Sequence, residues 1–220
     1  DEKISSLSAD SYIEEILVQG LGVAVFIIGN DFRFGFRRQG DFALLQQRGL
    51  ELGFEVEETA SYEYNGVRIS SSYIRQELAI SNFALVEQLL GRPYSIRGEV
   101  QQGRKLARNL GYPTCNVGLH RRTLPLHGVF ACEVRLADQF FTAAVNVGYK
   151  PTVTDERAAL LEAHLLDFDE DLYGKTIEVI FRKKIREEMK FDGLDALKAQ
   201  MSRDIDKVRE MMEVPAAQRG

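Results

Sequence analysis

The sequence predicts two fold classes in succession: an α/β segment with a parallel sheet, then an antiparallel barrel or sandwich backed by one helix. Three observations predict it. Helical and strand patterns alternate before Arg92–Pro93, strand patterns follow one another after it, and a single long amphipathic helix comes last.

The first segment opens on "SADSYIEEILVQGL", a helix started by Ser8 or Asp10 with Tyr12, Ile13, Ile16 and Leu17 on one side. The apolar run Val23–Ile28 reads as a parallel strand covered on both faces. A loop, "GNDFRFGFRRQGD", leads into the helix "FALLQQRGLELG" and the strand "FEVEET". Asn65-Gly66 between alternating residues then signals a hairpin. Two helices follow, "SSSYIRQELA" with a serine cap and "SNFALVEQLLG" capped by Ser81 and stopped by Gly91.

After Pro93 the strand candidates are "YSIRGEV", "GVFACEVRL", "FFTAAVNVG", "ALLEAHLLDF" and "KTIEVIFRKKI", with turns at Ala137-Asp138 and Tyr173-Gly174. The final helix has Asp192 as cap and an apolar stripe of Leu194, Leu197, Met201, Ile205, Val208 and Met212, which should pack on the sheet.

Composition narrows the function classes. Over 220 residues the chain carries a net charge of −5, which argues against nucleic-acid binding, where Lys and Arg must neutralise phosphates. No run approaches the length of a membrane span. The two cysteines, Cys115 and Cys132, lack a metal-binding spacing and, with no signal peptide, suit a reducing cytoplasm. A chain opening at Asp1 rather than Met suggests a fragment.

Five stretches could carry chemistry, and four of them have a plainer reading beside them. In "GRKLARNLGYPTCNVGL", Gly103 and Gly111 would let backbone amides approach a phosphate, with Arg104, Lys105 and Arg108 supplying charge. Thr114 and Asn116 offer hard neutral oxygens two residues apart, a donor set suited to Mg²⁺. The plainer reading is a turn with a basic rim. Glu162 and His164 share one face of "ALLEAHLLDF"; Glu162 is either a tuned base or a solvent-facing acid opposite Leu161, Ala163 and Leu165. His164, with no second His nearby, reads as a packing or hydrogen-bonding residue. Arg186, Glu188 and Phe191 in "IREEMKF" could grip a planar heterocycle or form a charged loop with one anchoring ring. In the first segment, "GNDFRFG" follows a strand end, where α/β sheets bind ligands, and "ISSSYIR" is either an anion site or a well-capped helix.

In their order along the chain, "GNDFRFG", "GVRISSSYIR", "LLGRPYSIRGEV", "LGYPTCNV", "GVFACEV", "NVGYKPTV", "LEAHLLDFDEDLYG" and "IREEMKFDGLDALKAQMSRD" closely resemble the bacterial bifunctional riboflavin kinase/FAD synthetase family. The resemblance implies that residues 92–220 form a riboflavin kinase domain, a six-stranded antiparallel barrel with a C-terminal helix, converting riboflavin to FMN with ATP and Mg²⁺. It implies that Thr114 and Asn116 hold metal and phosphate, alongside Gly103, Lys105 and Gly111. It assigns Glu162 as catalytic base and places Arg186, Glu188 and Phe191 where the chain closes over the flavin. Tyr112 stands where the family commonly has Phe, and Cys115 where it usually has Ala; both flank functional positions without replacing them.

Residues 1–91 resemble the C-terminal part of the Rossmann-like FMN adenylyltransferase domain, with Asn30, Asp31, Phe32 and Arg33, and Ser70, Ser71 and Arg75, in matching places. The family's His-x-Gly-His-type ATP-binding element is absent, since no His precedes His120. This chain is therefore expected to make FMN but not FAD, while an intact protein would do both. The half-domain would expose sheet and favour self-association. The competing readings are a non-catalytic flavin-binding barrel and an oligonucleotide-binding barrel, the latter disfavoured by charge.

Overall fold

The computed structural model describes residues 2–29, 31–101, 111–119, 123–150 and 158–212. Asn30, Gly103, Arg104, Lys105 and Arg108, singled out above, lie outside the described residues. Contacts divide the chain into two compact units, residues 1–69 and 70–220.

In the first unit, α1 (Glu2–Ser5) precedes α2 (Ala9–Ser11), whose cap is Ser8 accepting from Ser11 N–H at 3.0 Å. The helix continues in a wider π-helical form over Tyr12–Gly20, burying Ile13 and Leu17. Strand β1 (Val25–Gly29) pairs in parallel with β2 (Glu55–Thr59), and α3 (Phe42–Leu52), capped by Asp41, connects them. The expected double cover of β1 is not found among the described residues. Ile28 is buried, but Val25 and Ile27 are 46% and 58% exposed. The hairpin of β3 (Glu63–Tyr64) and β4 (Val67–Arg68) turns on Asn65 and Gly66, both at positive φ, as Asn-Gly favours.

The second unit begins with α4 (Ser71–Ala79) and α5 (Phe83–Leu90). The side-chain cap of α5 is Asn82, not Ser81; the Ser81 backbone has φ 61°, and Asn82 Oδ1 accepts from Leu85 N–H. Gly91 stops the helix in the left-handed region, as expected. Both helices join the barrel's core rather than the α/β unit. Phe83 stacks on Phe181 and meets Phe130 edge-on, with centroids 6.0 and 5.9 Å apart. The sequence change at Arg92–Pro93 thus falls inside this unit.

The barrel consists of β5 (Ser95–Gln101), β6 (Cys115–Val117), β7 (Gly128–Leu136), β8 (Gln139–Lys150), β9 (Ala158–Leu165) and β10 (Thr176–Arg186). It closes in the order β10-β5-β6-β9-β8-β7, every pair antiparallel. Five of these strands follow the sequence pattern. The sixth, β6, is three residues long and too short to show alternation. Helix α6 (Leu194–Met212) lies on the outer wall, where Val208 and Ile205 pack with Ala131, Ala144 and Ile185. Leu194, expected in the buried stripe, is 61% exposed; Gln200 and Asp204 are buried in the helix instead.

Glu178 ties β10 to both neighbours. It accepts from Ser95 Oγ at 2.6 Å and from Arg135 Nε at 2.9 Å. The Ser95 hydroxyl, joined by Arg135, holds its carboxyl below the ordinary 4.5. A depressed carboxylate contributes stability above its ordinary pKa and loses it as pH falls through the folded value. Glu178→Gln should therefore cost about 1 kcal/mol at neutral pH. The deficit should be complete above the ordinary carboxylate range and fade as pH falls through the depressed folded value, measurable by urea unfolding across pH.

Candidate active site on the outer wall of the barrel

Alternation in β9 decides which residues face solvent. Leu161, Ala163 and Leu165 are buried in the barrel core, so Glu162 and His164 point outward. The same holds in β6, where Cys115 and Val117 are buried on either side of Asn116, and in β8, where Val145 and Val147 flank Asn146. Register then aligns the outward residues. Glu162 pairs with Asn116 of β6 on one side and with Asn146 of β8 on the other. A single row, Asn116–Glu162–Asn146, runs across three strands, with Thr114 two residues before Asn116 along the chain.

The row extends into the segment after β10. Asn146 Nδ2 donates to Glu188 Oε1 at 3.3 Å. His127 Nε2 lies 2.9 Å from Glu188 Oε2, and the His127 ring stacks on Tyr149. Gly148 makes this approach feasible: a Cβ there would stand 2.1 Å from Glu188 Oε1. Glu188 is thus held beside the Glu162 row by an amide and an imidazole on the barrel wall.

Arg186 has a different environment. Its Nε lies 3.0 Å and its Nη2 2.7 Å from the Asp204 carboxylate, while Gln200 Nε2 donates to the same group at 2.8 Å. Asp204 is 3% exposed. The guanidinium stands 5.8 Å from the centre of the Phe191 ring. Arg186 therefore docks α6 on the barrel and places Phe191, and two register shifts in β10 re-aim this end of the strand.

Before β6, Gly111 has φ 88° and open space where a Cβ would be. His164 Nδ1 lies 2.8 Å from the Pro113 carbonyl oxygen, and Tyr112 meets the His164 ring edge-on. The hydrogen-bonding reading of His164 is the one observed. Cys115, between Thr114 and Asn116, faces the core, and burial pushes its thiol up to about 11. It is a packing residue rather than a nucleophile at neutral pH.

The first-segment candidates fall in both units. Asp31 forms a bidentate pair with Arg68, at 3.0 and 2.9 Å, and that guanidinium holds its carboxyl low. Phe32 stacks on Phe34, and Arg33 Nη1 donates to the Phe32 carbonyl. Ser70 caps α4 by accepting from Tyr73 N–H, Ser71 begins that helix, and Arg75 is exposed on it.

Four residues escaped the sequence reading. Asn146 had a signal, a lone amide in the apolar strand "TAAVNVG". Asp204 and Gln200 are four apart within the apolar stripe of α6, a pattern that marks a buried polar partner. His127 had none, since its partner Glu188 is 61 positions away and only the fold joins them.

Fold and site together define a two-unit chain whose closed barrel presents an acid between two amides on its outer wall. A family model for riboflavin kinase matches residues 90–212, and one for FAD synthetase matches residues 1–73. Two curated relatives are named bifunctional riboflavin kinase/FMN adenylyltransferase. The one from Pseudomonas fluorescens is 45% identical over 219 residues, covering 100% of this chain and 70% of its own length. The one from Escherichia coli (strain K12) is 47% identical over 211 residues, covering 96% and 67%. A solved structure described as a macrolide-efflux protein from Streptococcus pneumoniae is similar with a TM-score of 0.65 at 30% identity, over 95% of this chain and 67% of that one. Among the described residues, no helix of the present chain is long and apolar enough to cross a membrane. The chain belongs to the bifunctional riboflavin kinase/FMN adenylyltransferase family, and it spans roughly two thirds of the length of these relatives.

Asp204→Ala would strand the Arg186 guanidinium, whose side chain is 16% exposed, without its counter-charge. Breaking such a pair from one side costs about 3 kcal/mol. The expected result is a cooperative unfolding midpoint lowered accordingly in urea, with a smaller loss for Gln200→Leu.

Proposed function

We propose that this chain is an ATP:riboflavin 5′-phosphotransferase, with Glu162 as the base. The observation that carries the assignment is the strand register that sets Glu162 directly beside Asn116. Phosphoryl transfer asks the protein for in-line placement and for neutralised phosphate charge, with little covalent chemistry. Glu162 accepts the proton of the ribityl 5′-hydroxyl as that oxygen attacks the γ-phosphorus. Gly103, Lys105 and Gly111 belong to the segment that cradles ATP.

The residues present fit Mg²⁺. Thr114 and Asn116 supply neutral oxygens, and no cluster of three His, Cys, Asp or Glu that could form a protein-only cage occurs among the described residues. Such a donor set suits a cation that keeps waters and shares substrate phosphates. When bound, the metal would offset phosphate charge; Thr114 and Asn116 would hold it.

Glu188 and Phe191 face the flavin in this reading. Phe191 provides a stacking surface and Arg186 fixes it, so the arginine acts on the flavin chiefly through that ring. Residues 92–220 constitute the kinase domain, and residues 1–91 the C-terminal part of the FMN adenylyltransferase domain. Asp31, Phe32, Arg33, Ser70, Ser71 and Arg75, with Asn30, are its remnant site. We place the reaction in the cytoplasm, where two buried free thiols remain reduced.

Glu162→Gln should lower kcat at least about 100-fold while riboflavin still binds, read by flavin fluorescence titration. Unchanged turnover would remove Glu162 as base, and retained binding without any wild-type turnover would leave a flavin-binding barrel. Chromatography of products from riboflavin, ATP and Mg²⁺ should show FMN accumulating without FAD. The exposed Val25 and Ile27 of β1 should drive self-association at high concentration, seen by sedimentation; a single monomer at all concentrations would contradict this.

A further inference from the structure

We infer that His164 is a positioning residue for phosphoryl transfer, tying the Tyr112–Thr114 segment to β9 so that Thr114 and Glu162 are held as one body. The inference rests on the reading that Thr114 and Asn116 serve the nucleotide and metal side of the reaction.

The geometry begins where a ladder stops. β6 and β9 pair at Asn116–Glu162 and Cys115–Ala163, and one further step would set Thr114 opposite His164. Pro113 has no N–H to carry the ladder beyond that point. The His164 side chain takes over instead, with Nδ1 2.8 Å from the Pro113 oxygen. A carbonyl only accepts, so the imidazole carries its proton on Nδ1. Tyr112 adds a second contact, its ring perpendicular to the imidazole at 5.8 Å.

The consequence is selective. Asn116 is fixed by backbone pairing on both sides, to β5 and to β9. Thr114 precedes the strand, and the described contacts that hold its approach are those of His164. Because His164 and Glu162 project from the same face of one strand, the bond sets the distance between the base and the Thr114 hydroxyl. Small misplacements in such a site cost large factors in rate. Removing the bond should loosen Thr114 and leave the flavin side, anchored through Glu188 and Asn146, as it is.

Two polar substitutions separate positioning from packing. The amide nitrogen of His164→Asn falls near the place of Nδ1 and keeps the donor; that of His164→Gln lies one carbon further out and loses it. Affinity for Mg²⁺·ADP, measured by titration calorimetry, should fall about tenfold in His164→Gln, a factor suited to one lost hydrogen bond. It should stay within about threefold of wild type in His164→Asn. The KM for ATP should rise in the Gln variant while the KM for riboflavin holds.

Equal losses in both variants, or a riboflavin KM that moves with that for ATP, overturn the inference. Thr114→Val distinguishes its failure from that of the underlying reading. If Thr114→Val leaves Mg²⁺·ADP binding unchanged, the ligand role of Thr114 fails. If it weakens binding and His164→Gln does not, only the role of His164 fails. Nitrogen NMR of the unmodified protein gives a check that needs no variant: a neutral imidazole protonated on Nε2 alone would overturn the bond itself.

Discussion

Strand β10 is hydrogen-bonded along both edges, to β5 over Thr176–Ile180 and to β7 over Glu178–Arg186, and that double pairing closes the sheet. Closure leaves no free edge in the barrel and fixes each strand's inward face. Ile177, Val179 and Phe181 point in with Val100, Val134 and Leu161, filling the interior. With the interior occupied by side chains, chemistry can only be mounted on the wall. The acid–amide row, the Glu188 contacts and the docked helix α6 all depend on this partition.

The wall is divided into regions with different work. One region, on β7, β8 and β10, is covered by α6 and contains the buried Arg186–Asp204 pair. The other, on β6, β9 and β8, carries the outward row of Asn116, Glu162 and Asn146. β8 belongs to both, and Asn146 and Gly148 lie toward its second half, where Glu188 reaches it. The chain from Arg186 to Phe191 thus crosses from the structural region to the chemical one within six residues. Buried charge at its start supplies a rigid origin, so the short segment arrives in a defined place.

Much of the fold was legible because period-2 alternation is a local signal. Strands β5, β8, β9 and β10 each carry enough inward residues to show it, whereas β7 is buried on both faces over its first seven residues and β6 has only Cys115 and Val117. The doubly covered reading of Val23–Ile28 failed for a related reason: an apolar run reports composition, not which faces find partners. The candidate site was legible residue by residue but not as an arrangement. Glu162 and Asn116 stand out in sequence, yet their adjacency comes from register between strands 46 positions apart. The contacts of Glu188 with His127 and Asn146 arise from still longer separations and from a missing side chain at Gly148.

Cys115 has a place in this architecture beyond packing. It sits between Thr114 and Asn116 but points into the core, with its thiol buried and protonated at neutral pH. Cys132 is fully buried in the same core. Alkylating reagents attack thiolates that they can reach, so the intact barrel shields both sulfurs while leaving substrates free access to the wall. The protein therefore carries an internal record of its own opening: a molecule with a modified cysteine is one whose barrel has come apart.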